Sequence, residues 1–362
     1  GKGVFGMGSR FTGCGRAVAA ALALAACGMM SAWAGAAEAP EFLSVTGDSL
    51  VLAGTAPGAL CYGNVDGDSV VVRSTHAPGQ PDTVVYEAGR DYVVDAAAGT
   101  VARTENSRIP DFRTNMLYGQ KDFDHTAFPG FGNRAFFVYV DYRARGARPL
   151  CAPRDQAALL PKTAAKLRAG GPFKLIAYGD SITAGIDAGS REVQFQEQWV
   201  RHLSAKFPKA EITVENGATN GDGTAQGLAR LREKVLDRAP DFVIIGFGMN
   251  DHNVSGPTPE QFADNLKAMT AQIREQTGAE VLLYSAFPPN PDWKFGTHRM
   301  ELYAEATRRA AEEARCAYAD VFGIWKKVLE RKDLPSLLAN NINHPSDFGH
   351  GLYFEALKAV EF

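Results

Sequence analysis

The sequence predicts an α/β chain in two parts: a smaller antiparallel β-sandwich over 41–142, a linker over 143–171, and a three-layer α/β/α domain with a five-stranded parallel sheet over 172–362. Three observations predict it. Up to about residue 142, short runs rich in Val, Tyr and Phe are separated by turn signals, the mark of antiparallel strands. Beyond residue 172, short apolar runs alternate with helical patterns, the mark of a parallel sheet covered on both faces. Finally, 362 residues with 45% hydrophobic and 22% charged content suit two ordinary globular domains, not a disordered, fibrous or multi-span chain.

The elements follow in order. The first 37 residues hold no Asp or Glu, and Lys2, Arg10 and Arg16 precede the apolar Ala17–Ala26. Small residues at Ala32-Trp33-Ala34 or Ala34-Gly35-Ala36 complete the pattern of a cleavable signal peptide over 1–36. Leu24-Ala25-Ala26-Cys27 also resembles a bacterial lipobox, which would place a lipid on Cys27. The expected location is secreted or periplasmic, with a lipid-anchored form as the variant and no membrane span in the mature chain. Of the remaining cysteines, Cys61 and Cys151 are the pair to test for a bridge, and Cys316 reads as a buried small hydrophobe.

Within the sandwich, Ser49–Leu52, Ser69–Arg73, Thr83–Tyr86, Tyr92–Asp95, Thr100–Arg103 and Ala135–Tyr142 read as strands, with turns at Asp66-Gly67, Ala88-Gly89 and Ala98-Gly99. A helical stretch at 156–168 ends the linker. Strands are then expected at 173–178, 211–215, 242–247, 280–285 and 317–321, and helices at 193–207, 226–238, 259–277 and 299–314. With 38 Lys+Arg against 41 Asp+Glu, the chain lacks the basic excess that neutralises phosphates, so nucleic acid is not an expected partner.

In a parallel sheet, functional groups collect beyond the carboxyl ends of the strands. The first such end reads Tyr178-Gly179-Asp180-Ser181-Ile182-Thr183, where a small Gly permits a sharp turn and Ser181 opens the next segment. The second holds Asn216 and Asn220-Gly221-Asp222, the third Gly248-Met249-Asn250-Asp251, and Asn341-Ile342-Asn343-His344-Pro345 precedes a last helix. No Gly-x4-Gly-Lys-Ser/Thr loop and no dinucleotide fingerprint is present.

Together and in this order the four blocks resemble the SGNH (GDSL-type) hydrolase superfamily, over about residues 172–362. The resemblance implies Ser181 as nucleophile and His344 as general base. It also implies an oxyanion hole made by the N–H groups of Ser181 and Gly221 and the side-chain amide of Asn250. No metal or organic cofactor is implied. The family usually carries Asp three residues before its His, and here that position is Asn341. Asn can hold an imidazole but cannot stabilise an imidazolium by charge. Three readings stay open: a Ser–His dyad with Asn341 or a carbonyl as orienter, which is preferred; a substitute carboxylate, Asp347 being nearest in sequence; or a catalytically inactive glycan-binding protein.

The expected function is an exported serine ester hydrolase removing short acyl groups, foremost O-acetyl from carbohydrate, through an acyl-enzyme. Because His344 must start neutral, activity is expected to rise through about pH 6–7. The expected partner is a small-molecule or polysaccharide ester. Thr183–Gln196 is mostly small and polar, with no apolar lid, which disfavours a long-chain lipase; lipase, arylesterase and thioesterase stay as the alternatives. Trp293 and Phe295, in a Pro-rich loop, are candidate sugar-stacking residues, and His252 is a reserve base.

Overall fold

Runs of β-branched and aromatic residues set the N-terminal architecture, which a computed structural model describes over residues 41–362. The expected export segment, with Cys27 and its lipobox, lies outside the described residues. Strands β1 (Phe42–Leu50), β2 (Gly58–Ala59), β3 (Val71–Arg73), β4 (Tyr92–Asp95), β5 (Thr100–Arg103) and β6 (Val138–Arg145) form two antiparallel three-stranded sheets, ordered β1-β6-β3 and β2-β5-β4. Leu50, Leu60, Val72, Val101, Val138 and Val140 meet in one core. β1 starts seven residues before the expected Ser49. A register shift between Val45 and Asp48, at the left-handed Gly47, carries the strand through Thr46-Gly47-Asp48, a stretch with the composition of a turn. The expected Thr83–Tyr86 strand makes only a single bridge, Val85 to Arg73.

Between the two parts, β7 (Arg154–Asp155) pairs in parallel with β13 (Val360–Glu361), and α1 (Pro161–Ala169) starts on a proline. Strands β8 (Gly171–Gly179), β9 (Ala210–Asn216), β10 (Phe242–Gly246), β11 (Glu280–Tyr284) and β12 (Ala317–Ala319) form an all-parallel sheet ordered β12-β11-β10-β8-β9. Val243, Ile244, Ile245, Val281, Leu282 and Leu283 are wholly buried, so these strands read as continuous apolar runs, not as alternating ones. Helices α4 (Thr224–Lys234), α5 (Pro259–Thr277) and α6 (Met300–Glu313) pack side by side, as do α3 (Phe195–Lys206), α7 (Val321–Leu329) and α8 (Asp347–Lys358), with the four-residue α2 (Ser181–Ala184) directly after β8. Local chemistry fixes the ends: Thr258 and Gln261 form a capping box on α5, Pro259 occupies its first turn, and Gly278 closes it in the left-handed conformation.

The order places the chain reversal between β8 and β10, where the loops after β8, β9 and β10 converge. Glycine is required there: a Cβ on Gly179 would lie 2.3 Å from the carbonyl oxygen of Gly246, its register partner on β10. Residues 39–362 form one unit, and buried polar contacts join its two parts. Lys332 Nζ lies 2.8 Å from Asp48 Oδ1, both side chains fully buried, and donates to the carbonyls of Ser49 and Ala59. Cys61, Cys151 and Cys316 are free thiols among the described residues, so Cys61 and Cys151 are not bridged in this structure. Among the described residues, no helix is long and apolar enough to cross a membrane.

Candidate active site

Ser181 stands at the first position of α2, immediately after β8. The Asp180 side chain caps this helix by accepting from the N–H of Ile182 at 3.0 Å, while the Ser181 N–H, at the helix start, has no intrahelical acceptor. Asp180 is wholly buried, and burial pushes its carboxyl up to about 7. Only 8% of Ser181 is exposed, and its Oγ lies 2.9 Å from His344 Nε2.

His344 lies on the loop before α8. The Oδ1 of Asn340 gathers the N–H groups of Ile342, Asn343 and His344 at 2.9, 2.9 and 3.0 Å, and the Ala339 N–H donates to the His344 carbonyl. This loop therefore reaches Ser181 with its backbone already satisfied.

The orienting group differs from the expectation. His344 Nδ1 lies 2.6 Å from Asp187 Oδ2, so the chain Ser181–His344–Asp187 is continuous. Asn341 is not the orienter. It is 3% exposed with φ 60°; its Oδ1 accepts from Asn133 Nδ2 and its carbonyl accepts from Asn290 Nδ2. Its side chain is thus committed to a buried amide network. Nor does Asp347 substitute: its Oδ1 accepts from the Gly189 N–H at 2.7 Å. Asp187 is six residues beyond Ser181 in Gly185-Ile186-Asp187-Ala188-Gly189, and the hydrogen bond from His344 holds its carboxyl below the usual carboxylate range. Its position carries no motif spacing; the one signal is a carboxylate in a glycine-bounded loop directly after the serine.

Gly221 and Asn250 fall on the loops after β9 and β10, which flank β8. Gly221 has φ 79° with nothing within 4 Å of its would-be Cβ, so its backbone borders open space. Asn250 Nδ2 donates to the Asp222 carbonyl at 2.9 Å, tying the two loops together. Asp251, 1% exposed, accepts from Gly248 N–H and from both the N–H and hydroxyl of Thr224, which locks the Asn250 turn to the start of α4.

Trp293 is not an open stacking surface. It is 6% exposed, packs with Leu117, Phe123 and Ile342, and donates its indole N–H to His125 Nδ1 at 3.1 Å. Phe295, half-buried, meets Trp293 edge-on. Both rings anchor residues 117–131 to this loop, helped by the Phe123 N–H donating to Asp292 O. His252 is fully buried with Nδ1 against the Met249 carbonyl, and burial lowers its basicity, so it has no access to a substrate proton.

Residues 177–352 match the family model of GDSL-like lipases/acylhydrolases. The chain is 30% identical over 132 residues to an arylesterase of Vibrio mimicus, an alignment covering 36% of this chain and 63% of that protein. It is 24% identical over 217 residues to an acetylxylan esterase of Geobacillus stearothermophilus, covering 54% of this chain and 97% of that one. Among solved structures, a two-domain esterase active on acetylated mannans is similar with 23% identity and a TM-score of 0.47, over 56% of this chain and 53% of that chain.

Proposed function

Starting from the membership of residues 177–352 in the GDSL-like lipase/acylhydrolase family, we propose that this chain is an exported serine ester hydrolase that removes short acyl groups, foremost acetyl, from carbohydrate. The observation that carries the reading is the hydrogen-bonded series Ser181 Oγ, His344 Nε2, His344 Nδ1 and Asp187 Oδ2, at 2.9 and 2.6 Å. His344 Nε2 takes the hydroxyl proton as Oγ attacks the ester carbonyl, and Asp187 holds Nδ1–H and stabilises the imidazolium that forms. The tetrahedral oxyanion accepts from the N–H groups of Ser181 and Gly221 and from Asn250 Nδ2, each donor being worth roughly 100- to 1,000-fold in rate. His344 then protonates the leaving alcohol, and water repeats the cycle on the acyl-enzyme.

Acetylated carbohydrate is favoured by the likeness along nearly the whole acetylxylan esterase and by the mostly small, polar segment after the serine, which carries no apolar lid. Export is favoured by the acid-free N-terminal segment. The carboxylate at His344 removes the main argument for an inactive glycan binder. The test is p-nitrophenol release from acetyl, butyryl and decanoyl esters by the wild type and Ser181→Ala. Fastest turnover on acetyl, abolished by the alanine, is expected. Equal rates for both proteins would remove Ser181 as nucleophile, and a preference for decanoyl would point to a lipase.

A further inference from the structure

Asp187 holds an unfavourable backbone. Its φ of 63° lies in the left-handed region, which a residue with a Cβ keeps only when its surroundings impose it. The flanks of the loop are secured from within the α/β part: Ile186 N–H donates to Ser181 O at 3.0 Å, and Gly189 N–H to Asp347 Oδ1 at 2.7 Å. The carbonyl of Asp187 itself is held from the other part of the chain, by the guanidinium of Arg134.

Arg134 is well placed for that task. It opens a single-turn helix, Arg134–Phe136, just before β6, and the preceding Asn133 is wholly buried. The Asn133 N–H donates to Ala339 O at 2.7 Å, and its Nδ2 reaches the carbonyls of Pro335 and Leu338. Two consecutive residues therefore contact both loops that must meet: Asn133 the loop bearing His344, and Arg134 the loop bearing Asp187. With Asn133 immobilised, the guanidinium starts from a fixed point although Arg134 itself is exposed.

We propose that Arg134 is a positioning residue for the hydrolysis, one that keeps the Asp187 carboxylate against His344 Nδ1 by holding the Asp187 carbonyl from the N-terminal β part. The proposal rests on the function read above and adds a role for a part of the chain with none assigned. Arg134 touches neither the hydroxyl nor the imidazole. Its loss should therefore act only through Asp187, slowing the chemical step without weakening substrate binding.

A kinetic cycle on p-nitrophenyl acetate tests this, using the full chain as wild type, Arg134→Ala, Arg134→Lys, Asp187→Ala and the Arg134→Ala/Asp187→Ala double variant, with melting curves for each. Arg134→Ala is expected to lower kcat by about 10- to 100-fold, the range for a small misplacement of a catalytic group, with KM nearly unchanged. Arg134→Lys, which still reaches a carbonyl, is expected to retain most of the rate. In the Asp187→Ala background, Arg134→Ala should cost nothing further, because the group it positions is gone. A full-sized additional loss there, a rise in KM with kcat intact, or unchanged kinetics for Arg134→Ala would each overturn the proposal. A wild type that releases no p-nitrophenol, or an Asp187→Ala variant as fast as wild type, overturns the esterase or triad reading itself and this proposal with it.

Discussion

Asp187 supplies to His344 a charge that Asn341 cannot. An amide in its place would still hydrogen-bond the ring but would no longer stabilise the imidazolium. Asp187→Asn is therefore expected to lower kcat on p-nitrophenyl acetate by roughly 10²- to 10⁴-fold. Its melting temperature should stay close to wild type, since 42% of the side chain is exposed. An undiminished rate would return His344 to a dyad. Ser181 and His344, whose side chains meet, were legible as candidates because each sits in a short block at a strand end or helix start, where sequence neighbours define the turn. Asp187 and His344 lie 157 positions apart, and no local pattern records a contact between two loops. Trp293 departs from its expected place for a related reason: a Pro-rich aromatic loop looks the same in sequence whether a ring faces solvent or, as Trp293 does, packs on residues 117–131.

At the level of the element, α2 carries a cost in its cap. The buried Asp180 carboxyl, pushed up to about 7 chiefly by desolvation, binds its proton more tightly in the folded chain than in the unfolded one. Between about pH 4, the ordinary carboxylate range, and pH 7 the native state therefore holds more protons, and stability falls as pH rises through that window. Asp180→Asn keeps an oxygen for the Ile182 N–H and removes the charge. It is expected to flatten the pH dependence of the melting temperature across that window and to raise it by a few degrees at pH 8. An identical pH profile for both proteins would show that Asp180 is not the titrating group. The strands of the parallel sheet were legible as unbroken apolar runs because both faces are covered. The first half of β1 was not, because its register shift uses Gly47, and a glycine beside Asp reads as a turn.

For the whole molecule, the decisive contact is the Lys332–Asp48 pair, which crosses between the two parts without exposure to water. Asp48 also accepts, through Oδ2, from the Tyr142 hydroxyl and the Cys61 N–H, while Oδ1 faces the Lys332 ammonium. Lys332→Met leaves that carboxylate buried without its cation and is expected to cost about 3–5 kcal/mol in denaturant unfolding. Lys332→Met/Asp48→Leu should recover part of this loss, since removing both charges also removes their desolvation. A single variant as stable as wild type would mean that water reaches the pair. The two-part organisation shows in composition, but its union does not, because a buried ion pair looks like any Lys and Asp in a sequence.

The loop that carries His344 is held mainly by carboxamides: those of Asn133, Asn290, Asn340 and Asn341. Amides do not titrate and are not screened by salt, so this support is indifferent to acid and ionic strength. Its weakness is chemical wear, for asparagine is among the thermolabile residues. Hydrolysis of the Asn133 amide would turn a donor facing the oxygens of Pro335, Leu338 and Asn341 into a carboxylate that can only repel them. A single carboxylate at position 133 would thus undo a support that acid and salt leave untouched.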